Sequence, residues 1–376
     1  MYITRTVEDD IIQNLGGREV IIVYGPRQTG KSTLLSRIRE KTGLTTLAVN
    51  ADLTAVQRDL SSQNLETLRS FVGDHELIMI DEAQRVPNIG INLKIIHDEI
   101  PGVKIIATGS SSFDLANKIR EPLTGRTRTY RLYPVSLLEL SAKESHTSIE
   151  ESLEQYLQFG MYPALFSLRG ADQKVKYLEE VVEANLYRDI LELENIRSPK
   201  MLKDLLRLLA LQIGSEVSVQ ELATSLGAGK NTIKRYLDLL EKAFIIYRLD
   251  GFSRNLRKEV TKSSKYYFID VGVRNTVINN FNPLAMRTDT GALWENFLFM
   301  ERLKRQAYLN IRINCYFWRT YDQKEIDLIE EREGKLFAYE FKLSAATAKK
   351  PTLFLNTYPG SQYSQVNREN FRSFVS

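Results

Sequence analysis

The chain has 376 residues, too many for one ordinary domain, and points to two or three. Hydrophobic residues at 43% and charged residues at 26% are ordinary globular proportions and exclude a disordered chain. A formal net charge of +4 does not by itself mark a nucleic-acid binder, and a single cysteine, Cys315, excludes a disulfide-stapled scaffold.

The chain opens on "MYITRTVEDD", which is charged and carries no apolar leader. No apolar run approaches the ~20 residues of a membrane span. The expectation is a soluble, cytoplasmic protein with no membrane partner. Short apolar runs follow at "EVIIVY" (19–24), "TTLAVN" (45–50), "ELIMID" (76–81) and "VKIIAT" (103–108), with "TRTYRL" (127–132) a weaker fifth. Nearly continuous apolar strands separated by helical patterns predict an α/β fold, a parallel sheet covered on both faces. This first domain is expected over residues 1–140.

Between the first strand and an amphipathic helix stands "GPRQTGKST" (25–33), which fits G-x-x-x-x-G-K-[ST]. The glycines let backbone N–H groups curl around phosphates, and the helix N-terminus adds its positive end. Gly25, Pro26, Arg27, Gln28, Thr29, Gly30, Lys31, Ser32 and Thr33 are the expected nucleotide-binding set. Lys31 reaches the β- and γ-phosphates in this reading, and the Ser32 hydroxyl binds Mg²⁺. The expected cofactors are ATP and Mg. A second strand ends in "IDEA": Asp81 completes the magnesium shell, and Glu82 polarises the attacking water. "IIATGSSS" offers Thr108 or Ser110 as γ-phosphate sensor or plain turn residues. Arg126, Arg128 and Arg131 lie in "LTGRTRTYRLYP"; Arg126 is the choice for an arginine finger, against a simple basic loop and strand face. A finger acting in trans requires an oligomer.

"GPRQTGKSTLL", "IDEAQRVP", "ATGSSS" and "LTGRTRTYRLYPVSLLEL" together resemble an AAA-type P-loop ATPase family of bacteria and archaea that carries a further C-terminal domain of undefined role. "GMYPAL" (160–165) and "YRDI" (187–190) are similar to its signatures as well. The resemblance implies a sheet with the phosphate strand between others, Walker A and B roles as assigned, and homo-oligomers.

Helical periodicity takes over in "SLEQYLQF", "KVKYLEEVVEANLYRDILELE" and "PKMLKDLLRLLALQIG", with Ser198 and Pro199 as a helix start. A helical lid or connector is expected over 141–200 and a winged helix-turn-helix over 201–265. In the latter, Glu221–Leu226 forms one helix, "GAGK" the turn, and "NTIKRYLDLLEKA" a second helix capped by Asn231. Lys230, Lys234 and Arg235 stand where such a helix meets bases or phosphates. Arg248, Arg254, Arg257, Lys258, Lys262 and Lys265, against Asp250 and Glu259, make a local basic surplus equal to the charge of the whole chain. DNA is the expected partner, double-stranded ahead of single-stranded; a protein-binding wing is the alternative.

Residues 266–376 are expected to form a mixed α/β domain. Glu295 on a helix, Asp327 on a strand, and Glu340 and Lys342 two apart on the next strand resemble the PD-(D/E)XK restriction-endonuclease-like series. In that chemistry Asp327 and Glu340 bind Mg²⁺, Glu295 completes the shell, and Lys342 orients hydroxide or steadies the oxyanion. The likeness implies either DNA cleavage or nucleic-acid binding on a retained fold. The opposing reading is a nucleotide-dependent oligomerisation or protein-interaction switch without nuclease activity.

Overall fold

The computed structural model describes residues 2–110, 122–144, 146–183, 198–253, 264–320, 323–344 and 349–376. Contacts divide the chain into two compact units, Tyr2–Pro134 with Lys242–Phe244, and Val135–Glu241 with Ile245–Ser376.

The first unit contains α1 (Val7–Asn14), β1 (Val20–Tyr24), α2 (Lys31–Thr42), β2 (Thr46–Asn50), α3 (Thr54–Leu60), α4 (Leu65–Val72), β3 (Leu77–Asp81), α5 (Ile89–Glu99), β4 (Lys104–Gly109) and β5 (Thr127–Arg131). Its five strands form one sheet in the order β2-β3-β4-β1-β5, every pair parallel. The sequence dictates this layout: β1 is buried at every position and β3 at all but its last, as strands covered on both faces must be. Leu34, Leu35 and Ile38 are the buried stripe of α2. β1 lies between β4 and β5, with Ile21 opposite Ile106 on one side and Arg128 on the other. β5, the weakest strand in sequence, alternates exposure, as an edge strand does. Because the strands are parallel, Tyr24, Asp81 and Gly109 all end at the same carboxyl edge, where ligands of open α/β sheets bind.

The second unit contains α6 (Leu137–Ser141), α7 (His146–Phe159), α8 (Ala171–Glu183), α9 (Pro199–Leu211), β6 (Glu216–Val217), α10 (Val219–Ser225), α11 (Lys230–Lys242), β7 (Ile246–Asp250), β8 (Ser264–Phe268), α12 (Val271–Val277), α13 (Thr290–Tyr308), β9 (Asn314–Arg319), β10 (Glu325–Arg332), β11 (Lys335–Phe341), α14 (Thr352–Thr357), β12 (Gln362–Val366) and α15 (Phe371–Val375). β6-β8-β7 form an antiparallel three-stranded sheet, and β12-β11-β10-β9 a mixed four-stranded one. β8 runs through the expected boundary at 265/266, because it pairs with both β6 and β7. Ser198 caps α9, its hydroxyl accepting from Met201 N at 3.3 Å. α11 begins at Lys230, one residue earlier than expected. The Gly229 carbonyl accepts from Thr232 and Ile233, so Asn231 lies inside the first turn and is not the cap.

α13 is the centre of this unit and is buried on nearly all sides, charged residues included. It tolerates this because each charge is paired inside. Glu301 Oε2 accepts from Leu137 N at 2.5 Å, Lys304 donates to Glu301 Oε1 at 2.6 Å and to Val135 O at 3.0 Å, and Arg302 grips both oxygens of Glu330 at 2.6 and 2.8 Å. "GMYPAL" has a packing role: Asp270, buried at the head of α12, accepts from Met161 N at 2.7 Å and from Gly272 N at 2.8 Å. No helix among the described residues is long and apolar enough to cross a membrane.

Candidate nucleotide site

The turn from β1 into α2 is held in shape by its own backbone and by one distant arginine. Gly30 enters the helix at φ 92°, a left-handed conformation that disfavours side chains. A Cβ on Gly25 would lie 2.1 Å from Leu132 O, so only glycine fits against β5's extension. Thr29 Oγ1 donates to Pro26 O at 2.9 Å. Arg5, buried, donates to Thr29 O at 2.7 Å and to Tyr133 O at 2.6 Å, pinning the outer side of the loop. Sequence reasoning missed Arg5, an isolated arginine before α1 with no motif around it. Lys31 Nζ is folded over the loop, 3.0 Å from Gly25 O and 2.8 Å from Pro26 O. Two carbonyls thus hold a buried ammonium where the sequence pattern calls for phosphate oxygens.

Across the loop, the Ser32 hydroxyl donates to Asp81 Oδ2 at 2.5 Å. Thr108, at the end of the neighbouring β4, donates its hydroxyl to the other oxygen, Oδ1, of the same carboxylate. Glu82 follows in a left-handed conformation, φ 54°, its N–H 3.2 Å from Asp81 Oδ1. Its Oε2 accepts from Gln84 Nε2 at 2.5 Å, and the same amide lies 3.2 Å from Ser110 Oγ. An open cleft of about 250 Å³ runs from this point between α2 and β2, lined by Ser32, Ser36, Arg39, Asn50 and Asp81 among others. A glycine-shaped cradle, a lysine at its floor, and a hydroxyl and carboxylate close enough to share one ion fit a magnesium nucleotide. Of the nine loop residues, Arg27 is half-buried and Thr33 exposed.

Arg126 is not brought to this loop. It precedes β5 at the amino end of the sheet, where Val20 pairs with Thr127, whereas the loop leaves the carboxyl end after Tyr24. A strand of that length separates them by roughly 15 Å at ~3.3 Å per residue. Arg126 Nε instead pairs with Asp98 Oδ1 at 3.1 Å. Arg128 pairs with Glu19 at 2.8 Å, and Arg131 bonds the hydroxyls of Tyr133 and Tyr24 at 2.9 and 3.3 Å.

In the second unit, Glu295 from α13, Asp327 from β10 and Glu340 from β11 are close enough to repel one another. The Asp327 carboxyl is pushed well above the usual carboxylate range, by burial first and then by the charges of Glu295 and Glu340. Asp327 Oδ2 accepts from Phe341 N at 2.8 Å, and Lys342 pairs with Glu340 at 2.8 Å. Lys265 also enters this cluster, 3.0 Å from Glu295 Oε1 and closer still to Glu325 Oε1. It is fully buried on an inward-facing strand position, so it is no part of the expected basic surface patch. Arg248 is likewise tied, to Asp250 at 2.8 Å. Arg254, Arg257, Lys258, Glu259 and Lys262, like "YRDI", lie outside the described residues. Among the described residues no group of three carboxylate, histidine or cysteine side chains is arranged to hold a metal ion. On α11, Ile233, Leu237 and Leu240 are buried, and Lys230, Lys234 and Arg235 are exposed.

Residues 17–141 match the family model described as an AAA domain, in keeping with the parallel sheet and its phosphate loop. Residues 150–284 and 290–369 match two models, each described as a domain of unknown function. An uncharacterized protein of Mycobacterium tuberculosis is 29% identical over 327 residues, 86% of this chain and 70% of the relative. Another, of Methanocaldococcus jannaschii, is 27% identical over 353 residues, 89% of this chain and 76% of the relative. Among solved structures, the Thermotoga maritima RuvB Holliday junction branch migration motor aligns at a TM-score of 0.34 and 16% identity over 65% of this chain and 90% of its own. A signal-transduction ATPase with a tetratricopeptide repeat sensor from Pyrococcus horikoshii aligns at 0.30 and 14% over 82% and 48%. At those TM-scores neither neighbour bears on what this chain does.

Proposed function

We propose that the chain binds magnesium ATP at the phosphate loop, hydrolyses it, and uses the cycle as a switch. The observation that carries this reading is the convergence of Ser32, Asp81 and Thr108 from three elements onto one carboxylate at the mouth of the loop. Backbone N–H groups among residues 27–33 receive the phosphates, and the Lys31 ammonium exchanges its two carbonyl partners for β- and γ-oxygens. Ser32 and Asp81 hold magnesium, which when bound neutralises charge on the phosphoryl oxygens. Glu82 takes the proton of the attacking water. Arg126 reaches the phosphates of a second copy of the chain, since its own are a sheet's height away; the active form is then a homo-oligomer.

The output is assigned to the second unit, read as a connector, a winged helix and a C-terminal α/β domain. The exposed basic face of α11 supports contact with double-stranded DNA. The ion pairing of Arg248 and Lys265 favours the other reading, a switch that acts through protein contacts. Steady-state hydrolysis with and without duplex DNA separates the two. The ATPase reading expects magnesium-dependent turnover that Lys31→Ala abolishes, and turnover unchanged by Lys31→Ala defeats it. Stimulation by duplex DNA supports the first output; indifference to it supports the second.

A further inference from the structure

Lys265 stands in β8 inside the segment "KYYFID", and its side chain is completely removed from solvent. A buried ammonium has three donors to satisfy. One goes to Glu295 Oε1 at 3.0 Å and a second to Glu325 Oε1. The ammonium also lies 5.6 Å from the centre of the Phe317 ring, within cation–π range. The Tyr267 hydroxyl donates to the same Glu295 oxygen at 2.6 Å. The neighbouring carboxylates are occupied as well: Asp327 Oδ2 by the Phe341 N–H at 2.8 Å, and Glu340 Oε1 by Lys342 at 2.8 Å.

Magnesium demands near-octahedral oxygen ligands at about 2.0–2.1 Å, with carboxylate lone pairs turned to one point. Here one oxygen of each of Glu295, Asp327 and Glu340 already faces a protein donor. A dication among them would also meet the Lys265 ammonium, which shares Glu295 and is close enough to Asp327 to act on its charge. The cluster does not fit the metal that its spacing in sequence implies.

We infer that Lys265 is the resident cation of the C-terminal carboxylate cluster, standing in place of a divalent metal and bracing β8 against α13 and β10. The cluster is then a joint between the two sheets of the second unit, braced by its own lysines. It needs no magnesium to fold, and it has no open metal position from which to activate water. The inference is independent of the phosphate-loop reading.

The test uses the full chain carrying Ser32→Ala and Asp81→Ala, so that the phosphate loop contributes no metal ligands. Mn²⁺ alone is titrated without nucleotide, and free ion is followed by electron paramagnetic resonance. The expected result is no stoichiometric site below millimolar concentration. One equivalent bound, and lost on adding Asp327→Asn, overturns the inference. The second arm adds Lys265→Met, which removes the charge and keeps the bulk. This variant is expected to gain a Mn²⁺ site at least ten-fold tighter than any in its parent, and to melt at a higher temperature with Mn²⁺ than without. A folded Lys265→Met chain that gains neither shows that Lys265 does not hold the metal's place. Should Lys265→Met fail to fold, the first titration decides alone.

Discussion

Ser32 on the first turn of α2 and Asp81 at the tip of β3 are joined by a 2.5 Å hydrogen bond that reaches past β4, the strand between β1 and β3. Neither residue has to travel for the two to share an ion. Ser32→Ala is therefore expected to weaken magnesium-dependent binding of a fluorescent ATP analogue while sparing its magnesium-free binding. Lys31→Ala is expected to weaken both. Hydrogen bonds to charged groups are worth about 1.5–3 kcal/mol, or roughly 10–150-fold in affinity, which a fluorescence titration resolves. Equal magnesium dependence in Ser32→Ala and wild type would remove the hydroxyl from the ion's shell.

Glu82 sits in a left-handed conformation, its carboxylate accepting from Gln84. Replacement by glutamine keeps the hydrogen bonding and removes the base. Glu82→Gln is expected to bind ATP as wild type does and to turn it over ~10²–10⁴-fold more slowly, the usual worth of a positioned general base. Single-turnover hydrolysis with pre-bound nucleotide is the measurement; unchanged turnover would move the base elsewhere.

The Arg126–Asp98 pair at 3.1 Å lies at the wrong end of the sheet for action within one chain. Arg126→Ala is expected to lower kcat by ~10³-fold or more, as loss of an arginine finger does, with nucleotide affinity retained. Mixing this variant with Lys31→Ala chains should restore part of the activity, because one supplies the nucleotide and the other the arginine. Mixtures as inactive as their components would exclude action in trans.

Asp289 is gripped by Arg287 through two 2.8 Å bonds and by Arg274, and both arginines are buried. Hydrogen bonds from Arg287, and then from Arg274, hold its carboxyl well below the usual carboxylate range against the opposing effect of burial. A lowered pKa means stability that is fully present above the ordinary aspartate value of about 3.9 and lost as the pH falls through that value toward the folded one. Asp289→Asn leaves two buried guanidiniums uncompensated and is expected to cost about 3 kcal/mol at pH 7, the low end for a broken buried pair. Urea unfolding at pH 7 and at pH 3 should show the gap between variant and wild type narrowing at the lower pH.

The first unit was legible because its signals are local. A phosphate loop occupies contiguous residues, and β1 and β3 carry nearly continuous apolar runs. The second unit was less so, and Lys265 shows why. In "KSSKYYFID" nothing local distinguishes Lys265 from Lys262; only the pairing of β8 with β6 and β7, and the arrival of Glu295 and Glu325 from distant segments, turns Lys265 inward. Spacing on a strand placed Glu340 and Lys342 on one face, yet could not say that they bond each other. The last helix, Phe371–Val375, also escaped notice: five residues are too few to show a helical period.

The outer face of α11 offers a test of the nucleic-acid output that stands apart from the phosphate loop. Lys230, Lys234 and Arg235 are exposed while Ile233 and Leu237 are buried, so neutral replacements of the three cations remove no core side chain. If each cation neutralises one phosphate, the logarithm of the duplex-DNA affinity falls with the logarithm of salt, with a slope of about −0.9 per contact. Changing all three to alanine is expected to make that slope shallower by about 2.7 and to weaken binding at low salt across all sequences alike, the mark of backbone contacts. Fluorescence anisotropy at several salt concentrations measures both. A slope that does not change would take α11 out of the DNA interface, and binding that no salt affects would leave protein contacts as the output of the switch.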